Sequence, residues 1–435
     1  MNRPGKDVKR RAVARQACCR GTAPAARSRR QSLSPFRWFD DMISHCLDYA
    51  EQAKASRRPI VGIMCEYTPR EIIMAAGAVP VWLCGGDADT IASAEKHLPS
   101  NLCPLIKSTY GYLVEKANPF LEMADLIVAE TTCDGKKKMY ELMARSRPMF
   151  VLELPQKEND ADAFIHWKAQ VLALKVELER RFDVRITDCA LRAAIRDMNE
   201  ERSLRRRLAS LMKAEDPPLT GRRLLDLKSS ISCIPEDLAM YRNALDFLES
   251  RKRRGVSNGR VRVLVTGVPM VHGAERVLDI VEEHGGLVVC MENCTGVKPI
   301  LEDVDESGPD PIEALARKYW KLPCSVKTPN ESRIESLRHL VGEYRPECVV
   351  ELVWQACLTY DVESDAIKTF FTEGMGLPYL KIETDYSLSD SARIAVRVEA
   401  LFEIVRRMGA RREKGGARAV RAVAARSAAA NRRMS

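Results

Sequence analysis

The stretch VGIMCEYTPREIIMAAG, residues 61–77, decides the fold class. Its apolar start reads as a strand, and the helix that follows carries a full start signal. Thr68 suits an N-cap, Pro69 suits the first helical position, and Glu71 completes a capping box. Cys65 stands between strand and helix, where the positive end of a helix dipole favours a thiolate. The stretch therefore asks what chemistry needs a thiolate at that point.

Working outward, the same strand-then-helix alternation recurs. The strand reading covers RRPIVGIM, AVPVWLCGG, DLIVAETT and PMFVLELP in the first half, with KKKMYELMARS as a helix. In the second half RVRVLVTGV, GLVVCMEN, ECVVELVWQ and LPYLKIETD read as strands, with AERVLDIVEEHG and ESDAIKTFFTEGMG as helices. Short apolar strands separated by helices predict parallel sheets covered on both faces. The fold class expected is α/β, with two Rossmann-like parallel-sheet domains at 38–157 and 256–408. Between them, over 158–255, the strand signal vanishes and four helical patterns take over. A last helix, SARIAVRVEALFEIVRRM, is expected to pack back on the body.

The net charge of +9 over 435 residues hides a division. Residues 1–37 hold eleven bases and one acid, and 409–435 hold eight bases and one acid, which leaves the body with −8. Both tails are rich in Ala, Arg and Ser and poor in large apolar residues, so they read as disordered basic tails. They suit nonspecific attraction to nucleic acid or anionic surfaces, with a transit peptide as an alternative for the first from its Arg and Ser content. No apolar run approaches the roughly 20 residues that span a bilayer. No export signal is evident either, so the expected location is cytoplasmic, with no membrane partner.

Fourteen cysteines are many for such a chain, and a disulfide framework is disfavoured in a reducing cell. Six of them fall at loops beside strands or helix starts: Cys65, Cys103 and Cys133 in the first half, and Cys294, Cys324 and Cys357 in the second. The spacings are 38 and 30 residues, then 30 and 33, so the halves resemble each other and suggest an old duplication. LPSNLCP matches KLPCSVKTP in placement, and Cys133 matches Cys357 at a strand-to-helix turn. Cys65 follows the first strand of its half, whereas Cys294 follows the second. Loops at the carboxyl ends of parallel strands gather on one edge, where sites form. Thiolates at helix starts have depressed pKa values, which favours metal ligation. Three dispersed cysteines do not suit structural zinc, with its four ligands in paired spacing, nor a ferredoxin-type run. A cubane held by three thiolates leaves one iron open. Cys84 and Cys290 sit in or beside apolar strands and read as core. Cys46, Cys189, Cys233 and Cys348 look incidental, and Cys18 and Cys19 lie in the basic tail.

The combination of CEYTPREIIMAAGAVPV, LPSNLCPLIKS, TTCDGKKKMYELM, ENCTG, CSVKTPN, QACLTYDVES and GLPYLKIETDYSLSD resembles the family of 2-hydroxyacyl-CoA dehydratase subunits, benzoyl-CoA reductase subunits and double-cubane-cluster reductases. The resemblance covers about 38–408. It implies that Cys65, Cys103 and Cys133 hold a [4Fe–4S] cluster. The second trio, Cys294, Cys324 and Cys357, looks like the double-cubane branch, in which two cubanes share a sulfide as an [8Fe–9S] centre. The implied activity is low-potential reduction of small molecules by a homodimer, fed by a separate ATP-hydrolysing [4Fe–4S] activator protein. The chain shows no G-x-x-x-x-G-K-[ST] phosphate loop of its own. Two alternatives stand beside this. One is a subunit of a heterodimeric 2-hydroxyacyl-CoA dehydratase with one cubane and ketyl-radical chemistry. The other is a cluster-free binding or scaffold descendant. The chain departs from the family at Ser391, Ala392 and Arg393, where Gly-Gln is usual.

Other residues carry weaker expectations. Glu66 and Tyr67 are the candidate catalytic groups, as proton or hydrogen-bond donors to substrate, with a structural role as the alternative. Lys136, Lys137 and Lys138 read first as a solvated helical turn, with an acidic partner or cluster charge as the alternative. Thr295 and Gly296 allow close backbone approach to sulfur. Asp385 and Tyr386 read as a loop brace. The six histidines show no metal-pair spacing.

Overall fold

A computed structural model describes residues 34–250 and 255–410. The readings of the basic tails fall outside the described residues, apart from their inner ends. There the helix Pro35–Asp40 begins inside the stretch read as tail, because Trp38 and Phe39 are buried. The last helix runs over 391–410 and buries Ile394, Val398, Leu401, Phe402 and Val405.

Eight strands form two four-stranded, all-parallel sheets. The first holds β1 (Ile60–Ile63), β2 (Val79–Trp82), β3 (Leu126–Glu130) and β4 (Met149–Leu152), in the order β2-β1-β3-β4. The second holds β5 (Val261–Gly267), β6 (Gly286–Glu292), β7 (Cys348–Trp354) and β8 (Tyr379–Thr384), in the order β6-β5-β7-β8. Within each sheet the chain starts centrally, steps outward, then returns to the other side of its first strand. The central strands β1, β3, β5 and β7 are buried almost throughout. Burial on both faces is why they read as unbroken apolar runs rather than alternating patterns.

The principal helices are α1 (Met42–Ala55), α2 (Arg70–Ala75), α3 (Pro104–Glu115), α4 (Asp134–Met143), α5 (Ala161–Phe182), α6 (Asp188–Ser210), α7 (Pro235–Glu249), α8 (Arg276–Glu283), α9 (Pro311–Trp320), α10 (Glu331–Tyr344) and α11 (Leu358–Thr369). The helical segment is shared between the sheets. Trp167, Val171 and Leu174 of α5 pack in one core with Val61 and Val128 of the first sheet and with Leu315 and Tyr319 of α9. Leu204, Leu208, Tyr241 and Leu245 of α6 and α7 pack with Leu264, Leu287 and Val349 of the second sheet. A third core runs continuously through residues of both sheets, from Ile60 and Val79 to Val263 and Val350.

One buried ion pair ties three parts of the chain together. Arg202 of α6 donates to Glu71 of α2 at 2.5 Å, and Tyr319 of α9 donates to the other Glu71 oxygen at 2.8 Å. Burial opposes the Glu71 charge, yet Arg202 outweighs it and holds the carboxyl below its ordinary range. This corrects the capping-box expectation. Glu71 points into the interior, Thr68 donates to Glu130 instead of capping, and α2 starts only at Arg70 without a side-chain cap. Tertiary partners for both side chains outcompete the local motif.

Candidate metal centre

All six candidate cysteines, Cys65, Cys103, Cys133, Cys294, Cys324 and Cys357, line one cavity of about 1630 Å³ between the lobes. Cys65 lies two residues beyond β1 and Cys133 three beyond β3, and these are the adjacent strands on either side of which the chain order reverses. Crevices of that kind are where open α/β sheets bind ligands. Cys357 lies three residues beyond β7, matching Cys133, and Cys294 lies two beyond β6.

Three of the six occupy N-cap positions: Cys103 of α3, Cys133 of α4 and Cys357 of α11. None of the three sulfurs accepts a capping hydrogen bond, yet the helix-start N–H groups favour the thiolate electrostatically, those of Leu105 and Ile106 at Cys103, of Lys136 at Cys133 and of Tyr360 at Cys357. Cys65 is different. Four residues separate it from α2, so the helix dipole expected to act on it is not adjacent. Cys324 also departs from its expected match with Cys103. Pro104 opens a helix directly after Cys103, whereas Cys324 heads a turn closed by the Lys327 N–H at 2.9 Å, and α10 begins only at Glu331.

The expected depression of thiol pKa holds at Cys103. The Cys357 thiol beside it, with the two N–H groups, keeps Cys103 below its ordinary value against burial. Cys357 is correspondingly pushed up by Cys103 and by burial. Burial pushes Cys65, Cys133 and Cys294 up, opposed by Lys136 at the first two and Lys298 at the third.

Lys136 separates from its neighbours in the KKK run. Lys137 pairs with Asp134 and Lys138 with Glu141 on the surface, as a solvated turn should. Lys136 instead lines the cavity and donates to the Met64 carbonyl at 2.8 Å. Burial works against its charge, but Tyr140, Cys84, Cys65 and Cys133 outweigh it and raise its pKa. The sequence reading ranked a solvated turn first for all three and kept cluster charge as the alternative, because nothing in three consecutive lysines says which one turns inward.

Glu66 lines the cavity as half of a buried pair with Arg70, at 2.9 Å. Tyr67 is buried, and its hydroxyl donates across to the Leu322 carbonyl at 3.0 Å, which braces the segment ahead of Cys324. Thr295 lines the cavity and accepts from the Met270 N–H at 3.1 Å. A Cβ on Gly296 would sit 2.0 Å from the Met291 carbonyl oxygen, so the chain passes as closely there as only glycine permits. Asp385 accepts from the Ser387 N–H at 2.7 Å, and the Tyr386 hydroxyl donates to the Gly85 carbonyl of the other lobe at 3.2 Å. At the departure from the family pattern, Ser391 accepts from Arg276 and Arg393 pairs with Asp390. Cys84, read as core, lines the cavity beside Met64, whereas Cys290 is buried in β6 as expected.

A separate buried group joins His45, Cys46 and Asp237, which sequence spacing did not disclose. Trp38 stacks on His45 and donates to Asp237 at 2.7 Å, while His45 pairs with the same carboxylate oxygen at 3.1 Å. Burial works against the imidazolium, but Asp237 outweighs it and holds the His45 pKa up at about 9. The group is an ion pair pinning α1 to α7.

Two parallel sheets of the same strand order, closing on one cysteine-lined cavity, define a two-lobed α/β scaffold with its site between the lobes. The chain belongs to the 2-hydroxyglutaryl-CoA dehydratase D-component family, which matches residues 65–405. It is 43% identical over 352 residues to the "Putative dehydratase subunit YjiM" of Escherichia coli (strain K12), covering 80% of this chain and 91% of that one. It is 21% identical to the (R)-phenyllactyl-CoA dehydratase beta subunit of Clostridium sporogenes, over 85% of this chain and 98% of that one. A benzoyl-CoA reductase subunit of Thauera aromatica is 29% identical over 73% of this chain and 85% of its own length. The relatives are named as dehydratases and a reductase, so this is a family of enzymes. Among the described residues no helix is long and apolar enough to cross a membrane.

Proposed function

We propose that the six cysteines hold a double-cubane iron–sulfur centre and that the protein is a low-potential reductase of small molecules. The observation that carries this reading is the convergence of three thiols from each lobe on a single cavity. The donor set fits the group. Thiolate is the ligand iron–sulfur clusters take, and three of the six thiols sit at helix starts, whose positive ends stabilise an anionic cluster. Cys65, Cys103 and Cys133 would hold one half of the centre, and Cys294, Cys324 and Cys357 the other. When bound, such a centre supplies one-electron reduction at low potential.

The chain's own residues shape what surrounds the centre. Met64, Trp82 and Leu102 give the cavity apolar wall, which limits water at the thiols. The Glu66–Arg70 pair, with Arg70 over the Trp82 ring at 5.4 Å, places a polar group beside Cys65 where it can orient a small substrate. In this reading Glu66 is the residue placed to exchange a proton with substrate, while Tyr67 positions the Cys324 segment. Electrons come from an ATP-hydrolysing [4Fe–4S] activator, since the sequence has no phosphate loop. The protein works as a homodimer in the cytoplasm, where thiols stay reduced.

A second reading is favoured by the names of the relatives: one cubane on Cys65, Cys103 and Cys133, in a heterodimer that dehydrates a 2-hydroxyacyl-CoA. Anaerobic purification with iron and sulfide counting and low-temperature EPR separates the readings. About eight irons per chain are expected; about four would favour the second reading, and none would leave only a binding or scaffold role.

A further inference from the structure

Lysines stand against both cysteine trios and are not equivalent: Lys136 serves the first, while Lys298 and Lys327 serve the second, Lys327 donating to the Trp320 carbonyl at 3.0 Å under the charge of Glu158 as well as of Cys324. In the second lobe the Lys298 ammonium is fully enclosed and pairs with Glu292 at 2.9 Å, within reach of the Tyr360 hydroxyl at 3.3 Å. Glu292 also faces Arg333, which is itself shared with Glu351 and Glu363. The charge of Lys298 is therefore balanced inside the protein. In the first lobe Lys136 has a backbone carbonyl as its acceptor, and no carboxylate lies within ion-pair distance of it among the described residues. The acids nearby are committed elsewhere: Glu66 to Arg70, Asp134 to Lys137, and Glu130 to the Thr68 hydroxyl. Burial pushes Glu130 up to about 8, opposed by Thr68 and Lys136, so at neutral pH it adds little negative charge.

We propose that Lys136 is a positioning residue for charge, which makes the half of the centre on Cys65, Cys103 and Cys133 the half that accepts the incoming electron. Reduction adds a negative charge to the centre. An uncompensated ammonium in a cavity wall stabilises that added charge, and an ammonium already matched by a carboxylate does so far less. The inference rests on the double-cubane reading and goes beyond it, because sulfur ligation alone treats the two halves alike.

The test uses the full chain, loaded anaerobically, with iron counted for each variant and midpoint potentials taken by EPR-monitored redox titration. Lys136→Gln keeps a donor near Met64 and removes the charge, and Lys136→Arg keeps the charge. At wild-type iron, K136Q is expected to lower the first reduction equilibrium by about tenfold, or about 59 mV for a one-electron couple. K136R is expected to restore it, and the paired change K298M/E292Q to leave it in place. If K136Q loses iron, K136M makes the same measurement. An unchanged midpoint in the neutral variants at full iron, or an equal fall in K298M/E292Q, overturns the inference. A wild-type chain holding half the expected iron overturns the double-cubane reading instead, which the iron count shows before any potential is measured.

Discussion

The two lobes share one strand order but deliver their cysteines by different routes. In the first, Cys65 follows the central strand β1 and Cys103 caps α3. In the second, the end of β5 runs on through Val268 and Pro269, and the cysteine stands instead beyond the edge strand β6, while Cys324 sits in a turn. Only Cys133 and Cys357 keep matching positions, each three residues past a strand and each an N-cap. The sheet is common to both halves because its packing admits few alternatives. The loops at its edge are free to move a ligand from one strand to the next, so long as the thiol still reaches the cavity.

The largest expected effect comes from removing one trio. Changing Cys294, Cys324 and Cys357 together to Ala should cost half the iron or the whole centre, by metal analysis of anaerobically prepared protein. Iron equal to wild type after all three changes would end the double-cubane assignment.

Next come the buried arginines, one for each half of the comparison. Arg202→Met leaves Glu71 buried without its cation and should cost about 3–5 kcal/mol in denaturant unfolding. Arg333→Met takes the cation from Glu351 while Glu292 keeps Lys298, and it should cost a similar amount, but within the second lobe alone. Loss confined to a partial transition in R333M, against a loss spread across the whole unfolding curve in R202M, would show that only the first bond joins the lobes.

The smallest effect is a pH slope. The folded His45 pKa lies at about 9, above the ordinary 6.5, so its stabilisation is complete below pH 6.5 and fades as pH rises through about 9. His45→Gln should flatten unfolding stability over that window. An unaltered slope would place the alkaline sensitivity elsewhere.

Much of this molecule is legible in its sequence, for identifiable reasons. Strands buried on both faces must be apolar throughout, so VGIM, LIVAE, RVLVTG and CVVELVW declare themselves, and cysteines at their ends can be placed on one sheet edge. What escapes depends on partners far away along the chain. Thr68 and Glu71 spell a capping box, yet Glu130, Arg202 and Tyr319 claim them. Three lysines in a row hide the one that turns inward. Cys84 reads as core because its strand is apolar, although its position just past β2 is the same kind of strand end that marks Cys65. His45 and Asp237 stand 192 residues apart, and no local pattern joins them.

The bond from Arg202 to Glu71, with Tyr319 on the second oxygen, turns the middle segment from a spacer into a keel. Prising the halves apart to admit metal would tear charged groups out of a dry interior. For the proposed centre this sets an order of events to expect: iron and sulfide enter most easily while the newly made chain is still open at that joint, and reconstitution of a chain folded without them should speed up when Arg202→Met loosens it.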